Sequence, residues 1–181
     1  MVKYSDEDII RICPKGTEGE VLEIGGLLIA LPAQPPEKEI AGYGRPDDIK
    51  SMDEWGEMPR EFRQKFSPYI EEEFRRRREG FWFFNAGEPT YITGRHYMML
   101  QWTRMDIGYP DYLEFQREIF LHLCACEADP RCIGQLYTKC RRSGYTNICS
   151  SVLLDEATQV KDKLLGIQSK TGKDAQENIF M

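Results

Sequence analysis

Residues Tyr137 to Ser151 read YTKCRRSGYTNICSS, and the fold turns on this stretch. The run just before it, Cys132-Ile133-Gly134-Gln135-Leu136-Tyr137, has the composition of a strand. The residues just after it, Ile148, Val152 and Leu153, fall at helical spacing. A strand, a short polar turn and a helix make a phosphate-binding loop, because backbone N–H groups and a helix amino terminus then face anionic oxygens. The standard form is G-x-x-x-x-G-K-S/T. Here Gly144 is the second glycine and Thr146 the hydroxyl, while Tyr145 stands at the lysine position and Lys139 at the first glycine. A lysine at the front of the loop still reaches the phosphates, since its stem is flexible and its charge compact. Solvent-seeking charge between an apolar strand and a helix has no structural purpose, which favours phosphate binding.

Working outward, Tyr109-Pro110-Asp111 is expected to open a helix that runs to about Ala128, with Leu113, Ile119, Phe120, Leu123 and Cys124 on its apolar face. Asp129-Pro130 ends it. A strand over 132–138, the loop, a helix over 145–163, a second strand over Leu164–Gln168 and a helix from Lys173 complete the order. That order predicts an α/β fold, a partial P-loop NTPase with a parallel sheet flanked by helices. The sequence Val152-Leu153-Leu154-Asp155-Glu156 has the composition of a Walker B strand. It begins only six residues after Thr146, on the helix that the loop opens, so both carboxylates are expected on the outer face of that helix.

The spacing K-x-x-R-x-G-Y-S/T, carried by Lys139, Arg142, Gly144, Tyr145 and Thr146, resembles the deviant Walker A of tailed-phage terminase large subunits, ATPases that pump DNA into empty capsids. Tyr112-Leu113-Glu114-Phe115-Gln116-Arg117-Glu118-Ile119 is similar to the terminase segment that carries an adenine-reading glutamine. Gly166-Ile167-Gln168-Ser169-Lys170-Thr171 with Asp174-Ala175, and Tyr91-Ile92-Thr93-Gly94-Arg95-His96-Tyr97, are similar to terminases of large and gut-associated phages. The resemblance covers the second half of the chain better than the first.

The resemblance implies ATP and Mg²⁺ as cofactors. Lys139 would meet the β- and γ-phosphates, Gly144 would let the backbone approach, and Thr146 would offer its hydroxyl to the metal. Arg142, or Arg141 beside it, would neutralise charge at the γ-phosphoryl group. Gln116 would read the adenine edge, with Tyr112 packing on the base. The implied partners are double-stranded DNA, a portal protein, a small terminase subunit and identical copies in a ring. The implied location is the host cytoplasm, docked on the capsid. The family's Walker B, coupling motif and nuclease domain would lie beyond Met181, so nucleotide binding rather than turnover is expected of these residues. A helicase-like P-loop ATPase and a non-catalytic virion or adaptor domain that keeps the loop shape are the alternatives.

Composition sets outer limits. The chain has 181 residues, 41% hydrophobic and 30% charged, with a net charge of −6, an ordinary globular balance that lends no support to a broadly basic nucleic-acid surface. The longest apolar run, Ile24 to Leu31, is far short of the roughly 20 residues that span a bilayer. The polar start MVKYSDEDII does not read as a signal peptide, which predicts a cytosolic setting. Cysteines 13, 124, 126, 132, 140 and 149 form no C-x-x-C pair. Cys124, Cys126 and Cys132 lack the usual zinc spacing and read as reduced, partly buried thiols. With two isolated histidines, triad chemistry has little support, and His96 among aromatics reads as a satisfied core residue.

The amino-terminal half divides by composition. Residues 1–35 read as a β element in which Ile9–Ile12 and Val21–Ile24 form a hairpin. Residues 36–58, rich in proline, glycine and charge, read as a linker or extended arm. Residues 59–108 read as a lead-in of helix and hairpin, and 109–181 as the first part of the ATPase domain. Within the lead-in, 59–79 is one charged helix kinked or broken at Pro68. Its run Arg75-Arg76-Arg77-Arg78 reads as a solvated face paired with Glu71, Glu72 and Glu73 rather than a DNA contact. Phe81–Phe84 and Thr90–Ile92 flank a turn, and a short helix follows over Arg95–Met105.

Overall fold

The computed structural model describes residues 6–40, 57–105, 108–139, 143–159 and 161–166. Its amino-terminal sheet is built around the most apolar run of the chain. Strand β3 (Leu27–Pro32) is buried over four successive residues and lies between β1 (Ile9–Arg11) and β2 (Glu18–Ile24). β1 pairs with β3 in parallel, with Ile10 opposite Ile29, and β2 pairs with β3 antiparallel, with Ile24 opposite Leu27. The expected hairpin between Ile9–Ile12 and Val21–Ile24 is therefore corrected: the hairpin is β2–β3. Gly25 and Gly26 make its two-residue turn at φ +58° and +80°, the left-handed pair that a tight right-twisted hairpin requires. A strand buried along its length needs neighbours on both edges, whereas β2, with Glu18, Glu20 and Glu23, suits an edge.

The charged lead-in is two helices, α1 (Arg60–Lys65) and α2 (Ser67–Glu79), parted at Phe66. Pro68 falls in the first turn of α2, where its missing N–H would have had no partner. Hairpin β4 (Phe81–Asn85) and β5 (Glu88–Ile92) follows, then α3 (Gly94–Trp102), capped by the Thr93 side chain. Helix α4 (Glu114–Ala128) starts later than its sequence suggests, because Leu113 is still extended after Pro110. Asp129, held extended by the following proline, ends it. Helix α5 (Tyr145–Gln159) follows the loop.

Three apolar clusters join these elements. Ile10, Ile29 and Leu31 of the sheet pack with Tyr91, Leu121 and Ala125, so α4 lies on the sheet. Phe81, Phe83, Ile92, Tyr97 and Leu100 join β4–β5 to α3. Met99, Ile119, Phe120 and Ile148 join α3, α4 and α5. Each fully buried side chain of this size contributes about 1.5–3 kcal/mol relative to exposure.

The architecture is mixed α/β, but the expected parallel sheet at the loop does not appear among the described residues. Residues 132–139 are in no ladder, and Ile133 and Leu136 are fully exposed. A strand exists only through backbone pairing. Its expected neighbour, 164–168, is described only to 166 and is unpaired there. The parallel pairing present is β1 with β3. No helix among the described residues is long and apolar enough to cross a membrane.

Candidate phosphate-binding loop

Gly144 opens α5. Its φ is +72°, and its carbonyl accepts from the N–H groups of Asn147 (3.0 Å) and Ile148 (3.3 Å), as a helix amino cap does. A Cβ at this position would meet nothing within 4 Å, so the glycine serves the backbone angle rather than close packing. The N–H groups of Tyr145 and Thr146 precede these bonds and stand at the positive dipole end of the helix. Thr146 is exposed on that turn, while Ile148, Ser151 and Asp155 form the buried side of the helix.

Lys139 is exposed and close enough to α5 for its charge to act on the Cys149 thiol. Burial pushes that thiol up; the Tyr145 hydrogen bond and Lys139 pull it partly back. Tyr145 does not project freely as a lysine substitute would. Its ring lies parallel to Tyr137, centroids 4.9 Å apart at 5°. Gly144, Tyr145 and Thr146 thus stand at one helix end, and Lys139 follows two residues after Tyr137, whose ring stacks on Tyr145. Arg141 and Arg142 lie outside the described residues.

Gln116 is on the inward face of α4, 5% exposed, and its Oε1 has no hydrogen-bond partner. It lies one turn from Phe120, which packs with Ile148 on the second turn of α5. Tyr112 packs edge-on to Phe83 at 5.2 Å and against His96 at 5.6 Å.

His96 is fully buried, as its aromatic neighbours suggest, but it is not satisfied. Neither ring nitrogen has a hydrogen-bond partner. The ring stacks on Phe120 at 4.8 Å and 16° and on Tyr112 at 24°. Burial, with the Arg117 charge adding to it, brings its pKa down to about 3. Leaving a polar group buried without a partner costs about 1–3 kcal/mol.

Asp155 and Glu156 are not on the outer face of α5. Asp155 is 2% exposed and bound by Arg77, Nη2 to Oδ1 at 2.9 Å, and by Gln159 Nε2 at 2.8 Å. Arg77 also donates to Thr158 Oγ1 at 2.7 Å. Glu156 pairs with Arg95 and Lys163, and Arg95 reaches Glu127 at 2.9 Å. The basic run of α2 is therefore split. Arg75 pairs with Glu72 and Glu79 on the surface, as the solvated-face reading expects, whereas Arg76 lies over the Phe81 ring between Glu72 and buried Glu73, and Arg77 turns inward. Glu73 sits one turn before Arg77 on the same buried face, accepting from Tyr97 Oη at 2.6 Å and Trp102 Nε1 at 3.1 Å. Two charged residues four apart among the apolar positions of α2 were the available signal for an inward polar seam.

Cysteines 13, 124, 126, 132 and 149 are free thiols, and Cys140 lies outside the described residues. Among the described residues no group of three or more His, Cys, Asp or Glu side chains is disposed to hold a metal ion. No protein-family model, curated protein or solved structure matches the chain.

Proposed function

We propose that this chain is the ATP-binding part of a viral DNA-packaging motor of the tailed-phage terminase type, built on a P-loop NTPase core. The observation that carries the reading is the helix end itself. Gly144 in the left-handed region opens a 15-residue helix, with Thr146 exposed on its first turn and Lys139 two residues after Tyr137, whose ring stacks on Tyr145. Charge, hydroxyl and the positive dipole end of a helix at one terminus are what a polyphosphate needs.

ATP and Mg²⁺ fit these residues. The open space at Gly144 admits an oxyanion to the backbone, and the exposed Thr146 hydroxyl is a hard oxygen ligand of the kind Mg²⁺ takes. Bound together, they supply a phosphoanhydride and a Lewis acid to polarise it. Lys139 neutralises the β- and γ-oxygens, the first-turn N–H groups orient them, and Arg142 or Arg141 meets charge at the γ-phosphoryl group. In the assembled motor the partners are double-stranded DNA, a portal protein, a small subunit and further copies of this chain in a ring. The motor works in the host cytoplasm against a capsid.

A second reading is a module that holds nucleotide without hydrolysing it; Asp155 and Glu156, on the helix after the loop, are both engaged by cations. Calorimetric titration of the wild type and Lys139→Ala with inorganic tripolyphosphate and Mg·ATP, alongside a phosphate-release assay, tests both readings. Lysine-dependent binding supports the phosphate loop that both readings share and is expected without release from these residues, and release adds support for the motor. Absence of lysine-dependent binding overturns both.

A further inference from the structure

Cys126 and Cys132 meet across the end of α4. The helix stops at Ala128 and the chain turns back: the Asp129 N–H donates to the Ala125 carbonyl at 3.0 Å, and the Cys132 N–H to the Asp129 carbonyl at 2.9 Å. The stretch after the turn then runs back along the helix. Gln135 Nε2 donates to His122 Nδ1 at 2.9 Å, and Cys126 Sγ lies 3.5 Å from the same nitrogen. His122 and Cys126 are one turn apart on one face of α4. Cys132, three residues before Gln135, comes level with Cys126. Its thiol donates to the Gly134 carbonyl at 3.3 Å, and its sulfur is in hydrogen-bond contact with Cys126.

Cys124, two residues from Cys126, is on another side of the helix, among Glu127, Arg95 and Thr93. The three neighbouring cysteines are therefore not one cluster, and a pair of thiols across a tight turn suits a covalent bond between them rather than a metal. We infer that Cys126 and Cys132 form a reversible disulfide by exchange with a small-molecule disulfide, and that this bond pins the stretch 132–135 to the end of α4. Both thiols are half-buried, and Arg131 and Ile133, on either side of Cys132, are exposed, so an oxidant reaches Cys132 from solvent.

The exchange runs in two steps. The Cys132 thiolate attacks one sulfur of the oxidant, whose S–S bond breaks, and one small thiolate leaves with the electron pair. The Cys126 thiolate then attacks the Cys132 sulfur of the mixed disulfide and expels the second small thiolate. The two cysteines give up two electrons and two protons, and the oxidant ends as two thiols that carry both. The order follows from ionisation. Burial, with Cys132, Asp129 and Glu127 adding to it, pushes the Cys126 thiol up to about 11. Little of it is thiolate at neutral pH, which suits it to the second step, where the target sulfur is already held beside it.

The full chain is reduced, equilibrated with glutathione at a series of oxidised-to-reduced ratios, quenched by acid and alkylation, and mapped by peptide mass spectrometry. The expected result is a Cys126–Cys132 bond, with two hydrogens lost, whose fraction rises with the ratio and falls again when reduced glutathione is added. Cys126→Ser should instead keep one glutathione on Cys132. In the oxidised wild type, amide hydrogen exchange over 132–135 should slow by about tenfold or more. Absence of the bond at every ratio, pairing of either cysteine with another, or exchange unchanged on oxidation overturns the proposal.

Discussion

Arg77 and Asp155 stand 78 positions apart in sequence and form a buried ion pair, Nη2 to Oδ1 at 2.9 Å with side-chain exposures of 7% and 2%. The contact joins the end of α2 to the helix that the loop opens. It also leaves the Asp155 carboxylate fully engaged: its oxygens are bound by Arg77 and Gln159. Beside it, Arg95 joins Glu127 of α4 to Glu156 of α5.

Removing one partner of the pair strands the other. Asp155→Ala should destabilise the fold by about 3–5 kcal/mol, whereas the double change Arg77→Met with Asp155→Leu should cost far less. Urea denaturation of the wild type and the two variants measures this. Equal losses for the single and double variants would mean that packing, not charge, sets the cost.

His96 gives the fold a pH dependence of definite sign. Its folded pKa of about 3 lies below the ordinary 6.5, so the unfolded chain binds the proton more readily. The stability tied to the neutral ring is complete above pH 6.5 and is lost as pH falls toward 3, by up to about 1.4 kcal/mol per pH unit. Arg117 deepens the shift and Glu114 opposes it. Unfolding free energies between pH 7 and 5 should fall in the wild type and flatten in His96→Phe. Parallel curves would contradict the assignment.

At the loop, Lys139→Ala should weaken tripolyphosphate binding by about 10–100-fold, the equivalent of a lost charge-assisted contact of roughly 1.5–3 kcal/mol. Tyr145→Ala should weaken it much less, because the tyrosine brings no charge. Affinity unchanged within twofold for Lys139→Ala would remove the lysine from the site.

Two glycines should respond differently to alanine. A Cβ at Gly94 would sit 2.0 Å from the Arg77 carbonyl oxygen, a backbone atom that cannot step aside. Gly94→Ala should therefore shift α3 from α2 and cost about 1–3 kcal/mol or more. Gly144→Ala meets open space and pays only for its left-handed backbone, about 1–2 kcal/mol. Thermal unfolding ranks them, and the reverse order would contradict the packing.

The local elements were legible because short-range chemistry writes them. Pro68 marked the break between α1 and α2, Asp129-Pro130 the end of α4, and Asn85-Ala86-Gly87 the turn of the aromatic hairpin. Pairing was not legible. Nothing within Ile9–Ile12 says that its partner is β3 rather than β2, because the choice depends on which strand is buried along its whole length. At the loop, Gly144 and the helix after it follow from spacing, but the inward turn of Arg77 and Asp155 does not. Each reads locally as a surface charge, and only a partner 78 residues away makes burial tolerable. His96 was legible as core; its lack of a partner is a property of three dimensions alone.

The parallel rings of Tyr137 and Tyr145 meet across a seven-residue stretch that contains Lys139. Their contact closes that stretch into a non-covalent ring, so part of the entropy that a free segment would surrender to a ligand is already spent. The clasp holds by ring contact and not by charge, so salt should weaken any anion binding by Lys139 while leaving the Tyr137–Tyr145 contact in place.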